Sequence, residues 1–95
     1  MTKHDEIANK LAKRFKTEYK SDKGIDLVTK DKVVEVETKK SSLSQGIGQV
    51  VRSQKPRYLA VNKPNIKNAL EATKGTGIGV MSETGRIIKK ASRKK

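Results

Sequence analysis

The sequence predicts an α/β protein in which a mixed β-sheet carries helices on both faces. Segments with apolar residues at helical spacing alternate with short runs rich in β-branched residues, in the order α-β-β-α-β-α-β-β. Ninety-five residues fit one domain, which we expect at residues 1–88, followed by a basic tail at residues 89–95. With 33% hydrophobic residues the core must be small, so that dimerisation would add stability.

Residues 4–18 are predicted to form an amphipathic first helix, whose start Thr2 or Asp5 would cap. Its apolar face carries residues at helical spacing, namely Ile7, Ala8, Leu11, Ala12 and Phe15. Its opposite face is basic, with Lys10, Lys13, Arg14 and Lys16. His4, near the start of this helix, is predicted to be an ordinary surface residue.

A β-hairpin is predicted next, with strands at residues 25–29 and 33–38 joined by a tight turn. The turn consists of residues 30–31 or 30–32. With the two-residue turn, Thr29 pairs with Lys32, and Asp26 falls opposite Glu35 and diagonal to Glu37. The length of the turn therefore determines which acidic residues of the two strands meet.

The remaining elements follow from caps, breakers and periodicity. Ser41, Ser42 or Ser44 caps a second helix, whose apolar face holds Leu43, Ile47, Val50 and Val51. Gly46 and Gly48 each cost that helix about 1 kcal/mol relative to alanine. They indicate either close approach of the helix to a neighbour or to a nucleic-acid backbone, or an irregular helix start. Residues 57–62 and 78–82 are predicted strands, a third helix begins at Pro64, and residues 87–88 form a short edge strand.

The charge balance indicates a polyanionic partner. Lys and Arg total 23 against 10 acidic residues, a net charge of +13, which favours nucleic acid. No stretch approaches the length of a membrane-spanning helix, and the first residues lack an apolar signal core, so we expect a cytoplasmic protein. The absence of cysteine excludes disulfides and thiolate metal ligands.

The acidic residues of the hairpin are the candidate functional residues. Glu35, Glu37 and Lys39 share one face of their strand, and Asp26 lies on the neighbouring strand. Converging carboxylates repel each other unless a cation lies between them, and oxygen ligands suit Mg²⁺ or Mn²⁺. The alternative is a solvent-facing strand whose glutamates pair with nearby lysines. That alternative accounts less well for Asp26, because aspartate is depleted in strands.

The spacing of Asp26 from Glu37-Thr38-Lys39 resembles the PD-(D/E)XK nucleases, and the order of elements over about residues 3–82 is similar to the archaeal Holliday junction resolvases. The resemblance implies a restriction-endonuclease-like three-layer core. It also implies a Mg²⁺-dependent endonuclease that cuts DNA at four-way junctions in recombination and repair, working as a homodimer. A nuclease for other DNA structures, or a non-catalytic basic nucleic-acid-binding protein, stays open as an alternative.

The resemblance also implies roles for individual residues. Asp26 and Glu37 would bind the metal together with the backbone carbonyl of Thr38, and Lys39 would assist the attacking water. Glu6 would reach the metal through a water, and Gln45 or Gln49 would contact the phosphate or orient Lys39. The strand departs from the family pattern because Glu35 precedes Glu37, so Glu35-x-Glu37 is a second possible register.

Eight basic residues are predicted to contact DNA phosphates without reading bases. They are Lys10, Lys13, Arg14, Lys16, Lys40, Arg52, Lys55 and Arg57.

Overall fold

The computed structural model describes residues 2–19 and 25–92, which form one mixed sheet with helices on both faces. This confirms the predicted α/β class and the predicted order of elements. The elements are α1 (Lys3–Arg14), β1 (Leu27–Val28), β2 (Val33–Glu37), α2 (Leu43–Val50), β3 (Arg57–Val61), α3 (Ile66–Ala72), β4 (Gly79–Ser82) and β5 (Ile87–Lys89). Short 3-10 turns, Lys40–Ser42 and Lys63–Asn65, lead into α2 and α3.

The strands are arranged in the sheet in their order along the chain, from β1 at one edge to β5 at the other. The central pairs β2–β3 and β3–β4 are parallel, each joined by a helix, and the outer pairs β1–β2 and β4–β5 are antiparallel hairpins. Parallel neighbours require a crossover connection, which α2 and α3 supply. The carboxyl ends of β2, β3 and β4 therefore lie at the same edge of the sheet.

The register of the first hairpin agrees with the prediction. Leu27 lies opposite Val34, and the backbone N–H of Thr29 donates to the carbonyl of Lys32 over 2.8 Å. Because residues pair one for one along an antiparallel ladder, Asp26 falls opposite Glu35. The short turn thus determines the geometry of the acidic residues described below.

Two apolar clusters form the core, one on each face of the sheet. On the first face, α1 packs Ile7 and Leu11 against Val34 and Val36. On the second face, α2 and α3 pack residues such as Leu43 and Ala69 against the other side of β2, β3 and β4. Alternate residues of β2 therefore point to different helices, as the period of two requires.

The first helix is shorter than predicted and ends at Arg14. Lys16 adopts a positive φ of 55°, after which the chain turns back beside β1. There the hydroxyl of Thr17 donates to the carbonyl of Val28 over 2.8 Å, and Tyr19 forms an isolated antiparallel bridge with Leu27. The end of α1 is thereby tied to the edge strand of the sheet.

The chain continues in contact with the domain beyond residue 88. The Lys89 ammonium donates to the Thr73 hydroxyl over 2.8 Å, and the Ser92 N–H donates to the Gly77 carbonyl over 2.8 Å. Of the predicted basic tail, residues 93–95 lie outside the described residues. In the described part of the chain, no helix is long and apolar enough to cross a membrane.

Candidate functional site

Three carboxylates lie together where the β1–β2 hairpin meets α2. Glu35 and Glu37 are on the face of β2 that α2 covers, because Val34 and Val36 occupy the opposite face. Asp26 and Glu35 are each 7% exposed and Glu37 is 8% exposed. The interpretation of Glu35 and Glu37 as solvent-facing surface residues is therefore wrong.

The Asp26 and Glu35 side chains each accept a backbone hydrogen bond from the opposite strand at the end of the hairpin. The backbone N–H of Asp26 donates to Oε1 of Glu35 over 2.9 Å. The backbone N–H of Val36 donates to Oδ2 of Asp26 over 3.0 Å. Strand β1 is only two residues long. Beyond it, bonds between side-chain carboxylates and backbone N–H groups take the place of backbone pairing between the two strands. The carboxylates that face each other are Asp26 and Glu35.

Glu37 is fixed by the helix that follows its strand. Gly46 of α2 packs directly on the Glu37 side chain, so closely that a β-carbon at Gly46 would lie 2.7 Å from Oε2 of Glu37. The Ser42 hydroxyl donates to the carbonyl of Lys39 over 2.9 Å, and its proximity lowers the pKa of Glu37 against the effect of burial. Of the two glycines, Gly46 makes the predicted close approach, whereas Gly48 faces open space.

His4 belongs to this acidic cluster, which differs from its predicted place as an ordinary surface residue. Its Nε2 lies 3.1 Å from Oδ2 of Asp26, and its Nδ1 lies 3.2 Å from the Tyr19 hydroxyl oxygen. The Tyr19 hydroxyl donates to Oδ1 of Asp5 over 2.8 Å. Helical spacing in the sequence could have indicated this position, because His4 precedes Ile7 by three residues and so lies on the buried face of α1.

Burial raises the pKa of all three carboxyl groups, and repulsion by neighbouring carboxylates adds to the rise at Glu35 and Glu37. Desolvation is the largest cause for each. The pKa of Glu35 rises to about 8, since the charges of Asp26 and Glu37 add to the effect of burial. A hydrogen bond between the two carboxyl groups raises the pKa of Glu35 and opposes the rise at Asp26. Glu35 therefore keeps its proton to a higher pH than an exposed glutamate does.

The other predicted catalytic residues lie outside this arrangement. Lys39 is exposed, and no lysine or arginine among residues 2–19 and 25–92 forms an ion pair with the three carboxylates. The carbonyl of Thr38 accepts a hydrogen bond of 2.9 Å from the buried side-chain amide of Asn65. Glu6 is exposed and lines a surface pocket with Lys3, Ile7, Lys10 and Glu83.

Gln45 and Gln49 are both exposed on α2. They flank Gly46, at one residue before it and three residues after it. Since residues three apart are neighbours on a helix surface, Gln49 lies one turn along from the contact between Gly46 and Glu37. Neither amide is a hydrogen-bond partner of the acidic cluster within the described residues.

The predicted DNA-contacting residues divide into two groups. Six are exposed, namely Lys10, Lys13, Arg14, Lys16, Lys40 and Arg52. Lys55 donates to the carbonyl of Thr29 over 2.6 Å. Arg57 is only 8% exposed, and its guanidinium donates to the carbonyls of Val51 and Thr76 over 2.9 and 3.2 Å. Its donors are used inside the protein, so Arg57 holds elements together instead of contacting a phosphate.

The donor set of the cluster suits a hard divalent cation. Mg²⁺ keeps several waters and takes only one or two protein carboxylates at a site. In the ranges that the structure describes, no group of three or more His, Asp or Glu side chains lies close enough together to hold a metal ion. Asp26 and Glu35 would supply a pair of oxygen ligands, and a cation there would compete with the proton that Glu35 holds.

Comparisons with protein-family models, with curated proteins and with solved structures found no significant match.

Proposed function

We propose that this protein is a metal-dependent endonuclease that hydrolyses DNA phosphodiester bonds, with four-way junctions as the substrate. The observation that carries the proposal is the burial of Asp26, Glu35 and Glu37 in one part of the sheet without a lysine or arginine partner in the described residues. Buried carboxylates destabilise a fold unless they are protonated or bound to a cation. Three of them beside an exposed basic surface suit metal-assisted chemistry on a polyanion.

The arrangement of elements supports the restriction-endonuclease-like part of the proposal. The acidic residues lie on an antiparallel hairpin, and the second strand of that hairpin leads through α2 into a parallel neighbour. Helices cover both faces of the sheet, which gives three layers. The expected catalytic strand is thus β2, with its carboxyl end next to the start of α2.

The contacts favour Asp26 with Glu35 as the principal metal-binding pair. The backbone N–H of Asp26 donates directly to the Glu35 carboxylate, whereas Glu37 lies two residues further along β2 and is packed under Gly46. In this assignment Glu37 is a third oxygen ligand or orients a water, and the second possible register, Glu35-x-Glu37, is preferred over Glu37-x-Lys39. A bound Mg²⁺ or Mn²⁺ would lower the pKa of an attacking water and neutralise charge on the phosphate.

The exposed cations would hold the DNA backbone beside this site. Lys40 begins the 3-10 turn that leads into α2, three residues after Glu37, and Arg52 lies just beyond the end of α2. Both are exposed. A homodimer with two such sites would cut two strands of a branched substrate symmetrically.

A second candidate function is that of a non-catalytic nucleic-acid-binding protein. The observation that favours it is that Asp26 and Glu35 each accept a backbone N–H bond across the hairpin. These carboxylates would then close the end of a very short strand, and the net charge of +13 would account for binding to DNA.

Cleavage of a labelled four-way junction and a matched linear duplex distinguishes these functions. The assay compares wild type, Glu35→Gln and Glu37→Gln with and without Mg²⁺, and uses Glu71→Gln, at an exposed position of α3, as the matched control. We expect Mg²⁺-dependent cuts that are lost by at least 100-fold in Glu35→Gln and retained in Glu71→Gln. DNA binding without any cleavage by wild type would contradict the nuclease and support the second candidate.

A further inference from the structure

The contact between His4 and Asp26 is part of a continuous chain of hydrogen bonds that begins at Asp5. Tyr19 donates its hydroxyl proton to Asp5, so its oxygen is available only as an acceptor towards Nδ1 of His4, 3.2 Å away. A hydrogen on Nδ1 would complete this contact, and a second hydrogen on Nε2, as in the imidazolium, would complete the contact with Asp26. The remaining nitrogen, Nε2, lies 3.1 Å from Oδ2 of Asp26. The orientation of the imidazole ring is thus determined from both sides.

Asp5 and Tyr19, which hold His4 in this hydrogen-bond chain, are themselves fixed by further contacts. Thr2 caps α1 by accepting the N–H of Asp5 over 3.1 Å, which holds the first turn of the helix. Tyr19 is bridged to Leu27 of β1, and its ring lies against that of His4 with centroids 5.9 Å apart. Burial and the bond to Asp5 raise the pKa of Tyr19, so its hydroxyl stays protonated and remains a donor.

We propose that His4 is a positioning residue that orients the Asp26 carboxylate for metal binding. Nε2 of His4 and the N–H of Val36 both contact the same oxygen, Oδ2 of Asp26. Two partners from different elements fix the plane of the carboxylate, and neither uses Oδ1. That oxygen is then presented, together with the Glu35 carboxylate, to the cation. This inference rests on the metal site of the proposed function.

Hydrogen-bond partners of metal-ligating carboxylates hold the ligands in the geometry the ion requires, and their loss lowers metal affinity about 10–100-fold. His4 meets this description because it reaches the site from α1, whereas Asp26 and Glu35 belong to the sheet. The imidazole thereby connects the first helix to the hairpin. Glu6, the residue on this helix that the resemblance implied, does not contact Asp26.

The test measures Mn²⁺ binding by calorimetry for wild type, His4→Gln and His4→Leu, with no nucleic acid present. Glutamine presents an amide donor near the place of Nε2, so we expect affinity within about threefold of wild type. Leucine retains the bulk without a donor, so we expect a loss of at least tenfold. Lys67→Leu, at an exposed position of α3, is the control for a surface leucine and should bind as wild type does.

Thermal unfolding in EDTA and pulsed EPR of the Mn²⁺ complex complete the test. Equal Mn²⁺ affinity of His4→Leu and wild type would overturn the positioning role and leave the proposed metal site intact. A nitrogen coupling to Mn²⁺ that disappears in His4→Gln would also overturn it, because His4 would then be a ligand. Absence of Mn²⁺ binding by wild type would overturn both this inference and the proposed metal site.

Discussion

Gly46 of α2 lies against the Glu37 side chain with no room for a methyl group between them. A β-carbon at residue 46 would stand 2.7 Å from Oε2 and 2.8 Å from Cγ of Glu37. Glycine is a poor helix former, and here its cost allows the helix to approach a buried carboxylate. The identity of residue 46 therefore bears on the position of an acidic group as well as on the stability of α2.

Substitution of the two glycines of α2 by alanine should have opposite effects. Gly46→Ala must displace Glu37, and overpacking of this kind costs about 1–3 kcal/mol. Gly48→Ala meets nothing within 4 Å, so it should stabilise the protein by about 0.5–1 kcal/mol through improved helix propensity. Urea unfolding of both variants measures the difference. Equal free energies of unfolding for the two variants would contradict the close contact.

The parts of this fold that depend on local rules were predictable from the sequence. A two-residue turn determines hairpin register, so the sequence alone places Asp26 opposite Glu35. The buried role of Arg57 was not predictable, because its two carbonyl partners, Val51 and Thr76, come from the end of α2 and a turn after α3. From the sequence alone, an arginine in a strand is predicted to be exposed, because carbonyl acceptors from distant parts of the chain cannot be identified.

The acidic site was likewise predictable from the sequence only in part. The pattern of acidic residues predicted that carboxylates converge, yet it left Glu35 and Glu37 open as alternative partners of Asp26. Only the packing of α2 over β2 shows that Gly46 covers Glu37. His4 was missed because a single histidine near a helix start carries little information, and its contact with Asp26 spans 22 residues of the chain.

Glu35 should make the stability of the metal-free protein depend on pH. Its pKa rises from an ordinary value of 4.5 to about 8 in the folded state. The folded protein therefore retains a proton that the unfolded chain has lost, and the free energy of unfolding falls as pH rises from about 4.5 to 8. The stabilising contribution is complete below pH 4.5 and is lost as pH passes through about 8.

Glu35→Gln should make this decline shallower, because glutamine keeps an oxygen for the Asp26 N–H and has no charge to bury. Urea unfolding in EDTA at pH 5, 6.5 and 8 measures the effect. Glu71→Gln, at an exposed position on α3, serves as the control and should parallel wild type. Curves of wild type and Glu35→Gln that remain parallel across this range would show that Glu35 keeps its ordinary pKa.

Divalent metal should stabilise the protein more at pH 8 than at pH 5. The ion competes with the proton that Glu35 holds, so its binding weakens as the pH falls. At a Mg²⁺ concentration of 100 times Kd, the expected gain in the free energy of unfolding is about 2.7 kcal/mol. Thermal unfolding with Mg²⁺ or EDTA at both pH values measures it, and Asp26→Asn should abolish the difference. A gain that Asp26→Asn retains would place the metal elsewhere.

Loss of Arg57 should lower the stability of the protein, whereas loss of Arg52 should weaken DNA binding. Both arginines lie near the end of α2. Arg57→Met removes a buried guanidinium from the carbonyls of Val51 and Thr76. Hydrogen bonds from charged groups contribute about 1.5–3 kcal/mol, so we expect a loss of stability of about 2–4 kcal/mol. Arg52→Met changes an exposed side chain and should leave stability within about 0.5 kcal/mol of wild type.

DNA affinity should be reduced by Arg52→Met and not by Arg57→Met. If Arg52 contacts a phosphate, its loss reduces the slope of log affinity against log salt by about one and weakens junction and duplex binding alike, since phosphate contacts do not read sequence. Arg57→Met, measured at a temperature where it is folded, should keep the slope of wild type. Fluorescence anisotropy between 50 and 200 mM salt, roughly the range over which such contacts lose affinity steeply, measures both. A reduced slope in Arg57→Met with an unchanged slope in Arg52→Met would contradict the assignment of these two arginines.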